Sequence, residues 1–231
     1  MLKGFRRVAF RLLYNECAFI YDIVSPAVSL GRWRSWQRSV VPFLPPPDAG
    51  LVLELAQGTG DLQVDLVKAG YRGIALDRSR NMGRLAQRKL ARAGLSTLLL
   101  RGEAGRLPIQ SDSIAAIVCT FPTSFILQPQ TLIEIQRVLK RDGPAVILLS
   151  GVLTSGGLRV RFIRGLYRIT GQAYSDNVGE ELLTPFQAPG LSGEARALPL
   201  DGSLVQIVLL RKTVAGALGE QDHSLDLARE A

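Results

Sequence analysis

The chain has 231 residues, of which 47% are hydrophobic, and a formal net charge of +8 at neutral pH. This length and composition predict one globular domain with appendages and exclude a wholly disordered chain. No apolar run reaches the ~18 residues of a membrane span, and the basic N-terminus lacks the apolar core and cleavage site of a signal peptide. The two cysteines, Cys17 and Cys119, exclude a disulfide framework and a thiolate metal cage, which indicates a reducing, cytoplasmic setting.

Arginine supplies most of the positive charge, because lysine occurs only at positions 3, 68, 89, 140 and 212. This bias fits either phosphate recognition by guanidinium groups or a codon preference for arginine, and both explanations stay open. The single histidine, His223, lies in a polar tail. Histidine triads, histidine metal clusters and a histidine base in the folded core are therefore excluded, and we expect no metal site.

Apolar runs and helical patterns alternate after residue 50. In chain order they predict a strand at 51–55, a helix at 61–69, a strand at 73–76 ending at Asp77, a helix at 79–93, strands at 96–100 and 114–120, a helix at 129–140 and a strand at 143–150. Two further strand-like runs flank Asp201-Gly202, a tight hairpin signal. Continuous apolar strands between helices indicate a parallel sheet covered on both faces. The predicted fold class is α/β, a Rossmann-like three-layer sandwich with a mostly parallel sheet and an antiparallel edge.

Composition divides the chain into three predicted regions. Residues 1–44 form a helical arm or lid, closed by the stiff Pro45-Pro46-Pro47 break. Residues 45–213 form the main domain, and residues 214–231 form a polar tail that we expect to be flexible.

Two stretches, residues 2–13 and 157–171, mix basic and apolar side chains in a helical pattern. A basic amphipathic helix of this kind can rest on an anionic bilayer, and the arm can equally close over a site as a lid or simply pack with a solvated basic face. The arm is therefore a candidate for peripheral membrane contact.

The segment "LVLELAQGTGDL" joins the first predicted strand to a helix through Gly58 and Gly60. Glycines there allow a ligand to approach the backbone, at the strand end where open α/β sheets bind ligands. A Walker loop is excluded by its missing lysine motif, and Gln63 stands where a dinucleotide loop needs its third glycine. The nearby carboxylates of Glu54 and Asp61 repel a pyrophosphate but tolerate a ligand that carries an ammonium and a sulfonium, which favours S-adenosylmethionine.

Two further acids follow the next two predicted strands. Asp77 ends the second strand about 20 residues after the turn, the spacing at which an acid accepts hydrogen bonds from ribose hydroxyls. Glu103 follows the third strand and is a candidate acceptor for an adenine amino group. Asp77 alone could instead cap a helix or end a strand in solvent.

Four segments resemble the consecutive motifs of class I S-adenosylmethionine-dependent methyltransferases, namely "VLELAQGTGDL", "GIALDRSRNM", "GEAGRLPIQSDSIAAIV" and "LIEIQRVLKRDGPAVIL". Within that superfamily the chain resembles the ubiquinone/menaquinone biosynthesis C-methyltransferases. The arm segment "YDIVSPAVSLGRWRSWQR" also resembles the corresponding region of that family. The resemblance implies a seven-stranded sheet with a reversed last strand. It also implies cofactor contacts by Thr59, Asp77, Glu103, Ala104 and Thr120, with Gly58 and Gly60 matching the turn itself. Glu54, whose charge lies just before the turn, is a further cofactor-binding candidate.

The chain departs from this family at several points. Ala56 replaces the usual first glycine, Ala116 stands where an aspartate usually begins the fourth strand, and Arg141-Asp142 replaces a proline-glycine pair. After the fourth strand the quinone enzymes carry a glycine-leucine-arginine-asparagine segment, whereas this chain has "TFPTSFI" at 120–126. In the family that loop faces the transferred methyl group, so the acceptor stays open.

The leading hypothesis is a methyltransferase for a small, lipophilic acceptor, such as a quinone precursor or a phospholipid head group. One alternative is an RNA methyltransferase that contacts phosphates through an exposed arginine stripe at 80, 84, 88 and 92, although nucleic acid is not the expected partner. Another is a non-catalytic cofactor-binding or membrane-associated module.

Methyl transfer depends mainly on alignment of the reactants and on exclusion of water. Without a core histidine, a base would be a carboxylate or a tyrosine, and Tyr14, Tyr21 and Asp22 are the available candidates. No catalytic residue and no oligomeric state follow from the sequence.

Overall fold

The computed structural model describes residues 29–154 and 180–213. Within these ranges the chain builds a seven-stranded sheet in the order β3-β2-β1-β4-β5-β7-β6. The strands are β1 Leu51–Leu55, β2 Arg72–Asp77, β3 Leu98–Arg101, β4 Ile114–Thr120, β5 Pro144–Leu153, β6 Leu191–Leu200 and β7 Ser203–Lys212. The first five strands are parallel, and β7 pairs antiparallel with both β5 and β6. The predicted α/β class with one reversed last strand is confirmed.

Helices cover both faces of this sheet. They are α1 Trp33–Arg38, α2 Asp61–Lys68, α3 Arg80–Arg92, α4 Pro129–Val138 and α5 Glu180–Leu183. Short 3₁₀ turns occupy Val41–Phe43, Pro47–Ala49, Ser124–Leu127 and Thr184–Phe186. One apolar core contains side chains of α1 and α2, the other contains side chains of α4, and α3 packs against β2 and β3. Every residue of β4 is buried, which is why its run of seven apolar and small residues lacks the alternation of a half-exposed strand.

The predicted boundaries agree with the structure to within three residues. β5 extends to Leu153 because its last residues pair with the start of β7 at Ser203. α4 ends before Leu139, because that residue has extended backbone and forms an isolated β-bridge with Ile114, the first residue of β4. The predicted hairpin at Asp201-Gly202 joins β6 to β7, and Gly202 has the positive φ of +58° that this tight turn requires.

Helix α1 belongs to the predicted arm and packs directly on the sheet. Trp36 is 1% exposed, donates its indole N–H to Ser203 Oγ at 2.9 Å, and lies against Gly151 of β5. Residues 1–28, the amphipathic stretch 157–171 and the tail 214–231 lie outside the described ranges, so the arm's membrane or lid role stays a prediction. Across 29–154 and 180–213, no helix has the length and apolarity to cross a bilayer.

Candidate active site

A crevice opens where β1 and β4 end, at the carboxyl edge of the sheet. Its empty space, which is open to solvent, is about 280 Å³. Both strands leave the sheet through a left-handed residue, Ala56 at φ +55° and Phe121 at φ +51°. Such backbone costs about 1–2 kcal/mol in a non-glycine residue and concentrates at functional sites. The crevice is lined by Trp33, Gln37, Ala56, Gln57, Gly58, Thr59, Asp61 and Thr120.

The two glycines of the turn serve different purposes. Gly58 has φ +55°, and a Cβ added there would meet no described atom within 4 Å, so the turn leaves open space on its crevice side. Gly60 has φ +83°, and an added Cβ would lie 2.8 Å from the Ala86 Cβ. Gly58 therefore leaves room for a ligand, whereas Gly60 allows α2 and α3 to pack closely.

Asp77 holds the glycine turn in place. One carboxylate oxygen accepts a hydrogen bond from the Gly58 N–H at 3.0 Å, and the other accepts one from the Ser79 N–H at 2.7 Å. Burial raises the pKa of Asp77 above its ordinary value, and these two hydrogen bonds partly offset that rise. A carboxylate has about four acceptor positions, so Asp77 keeps capacity for ligand hydroxyls.

The remaining predicted cofactor residues are spread along the same edge. Thr120 is buried in the crevice wall, 3.3 Å from the Gln37 amide nitrogen. Glu103 does not line the crevice, since its side chain is 70% exposed and lies 3.5 Å from an Arg78 guanidinium nitrogen. Ala104 is buried in the apolar core beside it. The structure thus brings together Gly58, Thr59 and Thr120 and leaves Glu103 and Ala104 beyond Asp77.

Asp61 is charge-compensated in the structure. Lys89 of α3 lies 2.9 Å from the Asp61 carboxylate and 3.0 Å from the Thr59 hydroxyl. From its position in the first turn of α2, the Asp61 carboxylate is predicted to repel a pyrophosphate at this turn. With Lys89 in place, repulsion of a phosphate-bearing ligand depends chiefly on Asp77.

Glu54 is buried within β1, below the crevice, and is 1% exposed. Burial raises its pKa to about 8, and the nearby Gln63 side chain partly offsets this rise. Its Oε2 atom has no hydrogen-bond partner among the described residues. Glu54 is therefore mostly protonated at neutral pH in this state of the protein.

We expect Glu54 to make the protein less stable as pH rises. The folded pKa of about 8 exceeds the ordinary value of 4.5, so between these pH values the folded state binds more protons than the unfolded state. The free energy of unfolding should then fall by on the order of 1 kcal/mol per pH unit in that window. Urea titrations at pH 5, 6.5 and 8 should show this slope in the wild type and its loss in Glu54→Gln. Parallel pH profiles for the two proteins would refute this assignment.

Three crevice residues were not found by the sequence reasoning. Trp33 and Gln37 come from α1, and their i, i+4 spacing places both on one helix face. Gln57 lies inside the glycine motif itself. Gln37 and Gln57 are 7% and 4% exposed, yet Gln37 Oε1 and both polar side-chain atoms of Gln57 lack partners in the described part of the chain. Because buried polar groups normally have partners, these amides are suited to a polar ligand in the crevice.

Helix α1 is fixed to α2 by a charged cluster. The Asp65 carboxylate accepts hydrogen bonds from Arg34 at 2.6 Å and from two nitrogens of Arg38 at 2.9 and 3.0 Å. The Asp65 side chain is only 11% exposed, and this forked geometry holds it firmly. The cluster thereby positions Trp33 and Gln37 over the crevice.

The candidate bases Tyr14, Tyr21 and Asp22 lie outside the described ranges. Within residues 29–154 and 180–213, no group of histidine, cysteine, aspartate and glutamate side chains has the arrangement of a metal site.

Comparison with known proteins identifies the family. Residues 52–143 match a family model described as a methyltransferase domain. The chain is 30% identical over 172 residues to the ubiquinone/menaquinone biosynthesis C-methyltransferase of Syntrophotalea carbinolica, covering 73% of this chain and 70% of that protein. It is 29% identical over 157 residues to the demethylmenaquinone methyltransferase of Renibacterium salmoninarum, covering 68% of this chain and 65% of that one.

The fold is shared with solved structures. The crystal structure of a putative S-adenosyl-L-methionine-dependent methyltransferase from Methanococcus maripaludis matches with a TM-score of 0.62 and 20% identity, covering 87% of this chain and 94% of that one. The chain therefore belongs to the family of the ubiquinone/menaquinone biosynthesis C-methyltransferases, and it is a methyltransferase whose cofactor is S-adenosylmethionine.

Proposed function

We propose that this protein methylates a ring carbon of a planar, lipophilic acceptor of the quinone-precursor class. The observation that carries the proposal is one aromatic ring in the crevice wall, Trp33, which is backed by a second ring. The rings of Trp33 and Phe121 are stacked, with centroids 4.1 Å apart, and Trp33 lines the same crevice as Gly58 and Thr59. Stacked aromatic side chains are suited to bind a flat ring. The same acceptor class is supported by the names of two relatives, a ubiquinone/menaquinone biosynthesis C-methyltransferase and a demethylmenaquinone methyltransferase.

The cofactor residues in this proposal fit the crevice as built. Gly58 leaves open space, Gln57 and Gln37 have buried amide atoms with no partner among the described residues, and Asp77 retains acceptor capacity. Asp77 would hold the ribose hydroxyls, with Glu103 and Ala104 further along the edge towards the adenine. When bound, S-adenosylmethionine supplies an electrophilic methyl group on a sulfonium. The protein's own residues then contribute orientation and exclusion of water.

The lining of the crevice favours a ring over a phosphate-bearing acceptor. Among the residues that line it in the described structure, none is lysine or arginine. A phospholipid head group or an RNA backbone would find no cation on that lining, and the neighbouring Lys89 already contacts Asp61 and Thr59. The alternative acceptors from the sequence are therefore disfavoured by the charge of the crevice.

A panel of acceptors tests the proposal. The full chain with S-adenosylmethionine is offered a short-chain demethylnaphthoquinone kept reduced, phosphoethanolamine and a transfer RNA transcript. The reduced ring is used because an electrophilic methyl group requires an electron-rich carbon. Mass spectrometry should show one added methyl group on the ring compound only. A product on the head group or the RNA alone would overturn the proposed acceptor.

Trp33→Ala should weaken acceptor use and leave cofactor binding unchanged. Loss of one aromatic face costs about 0.5–1.5 kcal/mol beyond the buried area, so we expect KM for the acceptor to rise roughly two- to tenfold. Kd for the cofactor, measured by calorimetry, should stay within about twofold. Trp33→Phe keeps a ring and is the matched control. A rise in cofactor Kd equal to the rise in acceptor KM would show that Trp33 does not recognise the acceptor.

A further inference from the structure

The excess positive charge of the chain is concentrated in one segment. Residues 68–106 contain ten basic residues and only two acidic ones, Asp77 and Glu103. The rest of the chain contains 18 basic and 18 acidic residues. A general preference for arginine codons would raise the positive charge everywhere. The localised excess instead indicates a surface with its own role.

Helix α3 presents much of this charge on one exposed stripe. Arg80, Arg84, Arg88 and Arg92 recur every four residues and are all exposed, while Met82, Ala86 and Leu90 are buried beneath them. Across the described ranges none of the four arginines takes part in an ion pair. The stripe, here called the α3 basic face, is about 18 Å long at 1.5 Å per helical residue.

The α3 basic face begins beside the active-site edge. Arg80 follows Asp77 by three residues, at the carboxyl end of β2. Arg101 is exposed at the end of the neighbouring edge strand β3 and donates to the Arg78 carbonyl at 3.3 Å. An anionic surface that binds this face would therefore lie next to the mouth of the crevice.

We propose that the α3 basic face docks the protein on an anionic lipid bilayer. The choice of a bilayer over RNA follows from the side chains present. Residues 78–106 include no aromatic residue and no histidine, so the face lacks the stacking platforms on which bases are bound. Attraction to an anionic bilayer needs only clustered cations, and each one near the surface strengthens binding about fivefold. The reason for this protein to bind a bilayer rests on the proposed function, because a lipophilic acceptor would be dissolved in the membrane.

Vesicle flotation tests the docking surface without using activity. The full chain is mixed with vesicles of phosphatidylcholine alone or with 30% phosphatidylglycerol, at low and high salt. Binding should require the anionic lipid and should fall as salt rises. The double variant R84Q/R88Q should bind about 25-fold more weakly, at about fivefold per arginine.

A matched control removes two exposed arginines that lie outside α3, one before β5 and one in β7. Both side chains contact Asp142, which lies in the turn before β5: Arg141 is near its carboxylate, and Arg211 donates to its carbonyl oxygen. R141Q/R211Q loses two positive charges, as the test variant does, and therefore has the same net charge. Equal weakening of both double variants, or no binding of the wild type to anionic vesicles, would overturn the proposal. Tight RNA binding that depends on Arg84 and Arg88, without vesicle binding, would overturn it in favour of RNA.

The two proposals fail separately. Turnover of a water-soluble ring acceptor should be the same in wild type and R84Q/R88Q. A wild type that binds anionic vesicles through α3 but methylates no ring acceptor would remove the proposed acceptor and leave the docking surface standing.

Discussion

Asp77→Ala should weaken binding of S-adenosylmethionine by roughly 5- to 150-fold, which corresponds to about 1–3 kcal/mol for a lost charged hydrogen-bond partner. Asp77 has two roles in the structure. Its carboxylate fixes the Gly58 and Ser79 N–H groups, and its remaining acceptor positions face the ribose in the proposed cofactor placement. Calorimetric titration of the variant with the cofactor measures the effect.

Two measurements separate these roles. Asp77→Asn keeps the size of the side chain and one acceptor oxygen but removes the charge, so it should fall between the wild type and the alanine variant. Thermal unfolding without cofactor reports how far the turn itself is loosened. If both variants bind the cofactor as the wild type does, the ribose lies elsewhere.

Trp36→Ala should lower the free energy of unfolding by about 3–5 kcal/mol, the usual range for removing a large buried aromatic side chain. The indole is 1% exposed and in contact with Gly151, where an added Cβ would come within 2.6 Å of the ring. Its loss leaves a cavity and removes the partner of the buried Ser203 hydroxyl. At about 2–4 °C per kcal/mol for a domain of this size, Tm should fall by roughly 6–20 °C.

Trp33→Ala is the neighbouring control for stability. Trp33 lines the crevice and is only partly buried, so its loss should change Tm much less than the loss of Trp36. The two variants should therefore differ: Trp36→Ala should lower the free energy of unfolding, whereas Trp33→Ala should weaken acceptor binding. A small effect at Trp36 would mean that the domain folds without α1.

The predicted boundary between arm and domain at residue 45 stays a prediction. The structure adds that α1 and the 3₁₀ turn at Val41–Phe43 contribute to the apolar core on one face of the sheet. Asp65 joins the same helix to α2 through Arg34 and Arg38. If residues 1–28 form a lid, it connects to the domain through a segment that is itself firmly packed.

The sequence alone determined the class of fold, most element boundaries and the glycine turn, because these depend on local patterns. Continuous apolar runs define β1 and β4, which are buried on both faces. Asp201-Gly202 defines the hairpin, since only a few residue types fit its dihedrals. Gly58 is identified by its place after a strand.

Tertiary structure decided which distant residues meet in the crevice. Lys89 compensates Asp61 from 28 positions away, and Gln37 reaches Thr120 across 83 positions. Such pairs depend on strand order and helix packing, on which local periodicity carries no information. The stacking of Trp33 on Phe121 therefore becomes visible only when α1 folds against the end of β4.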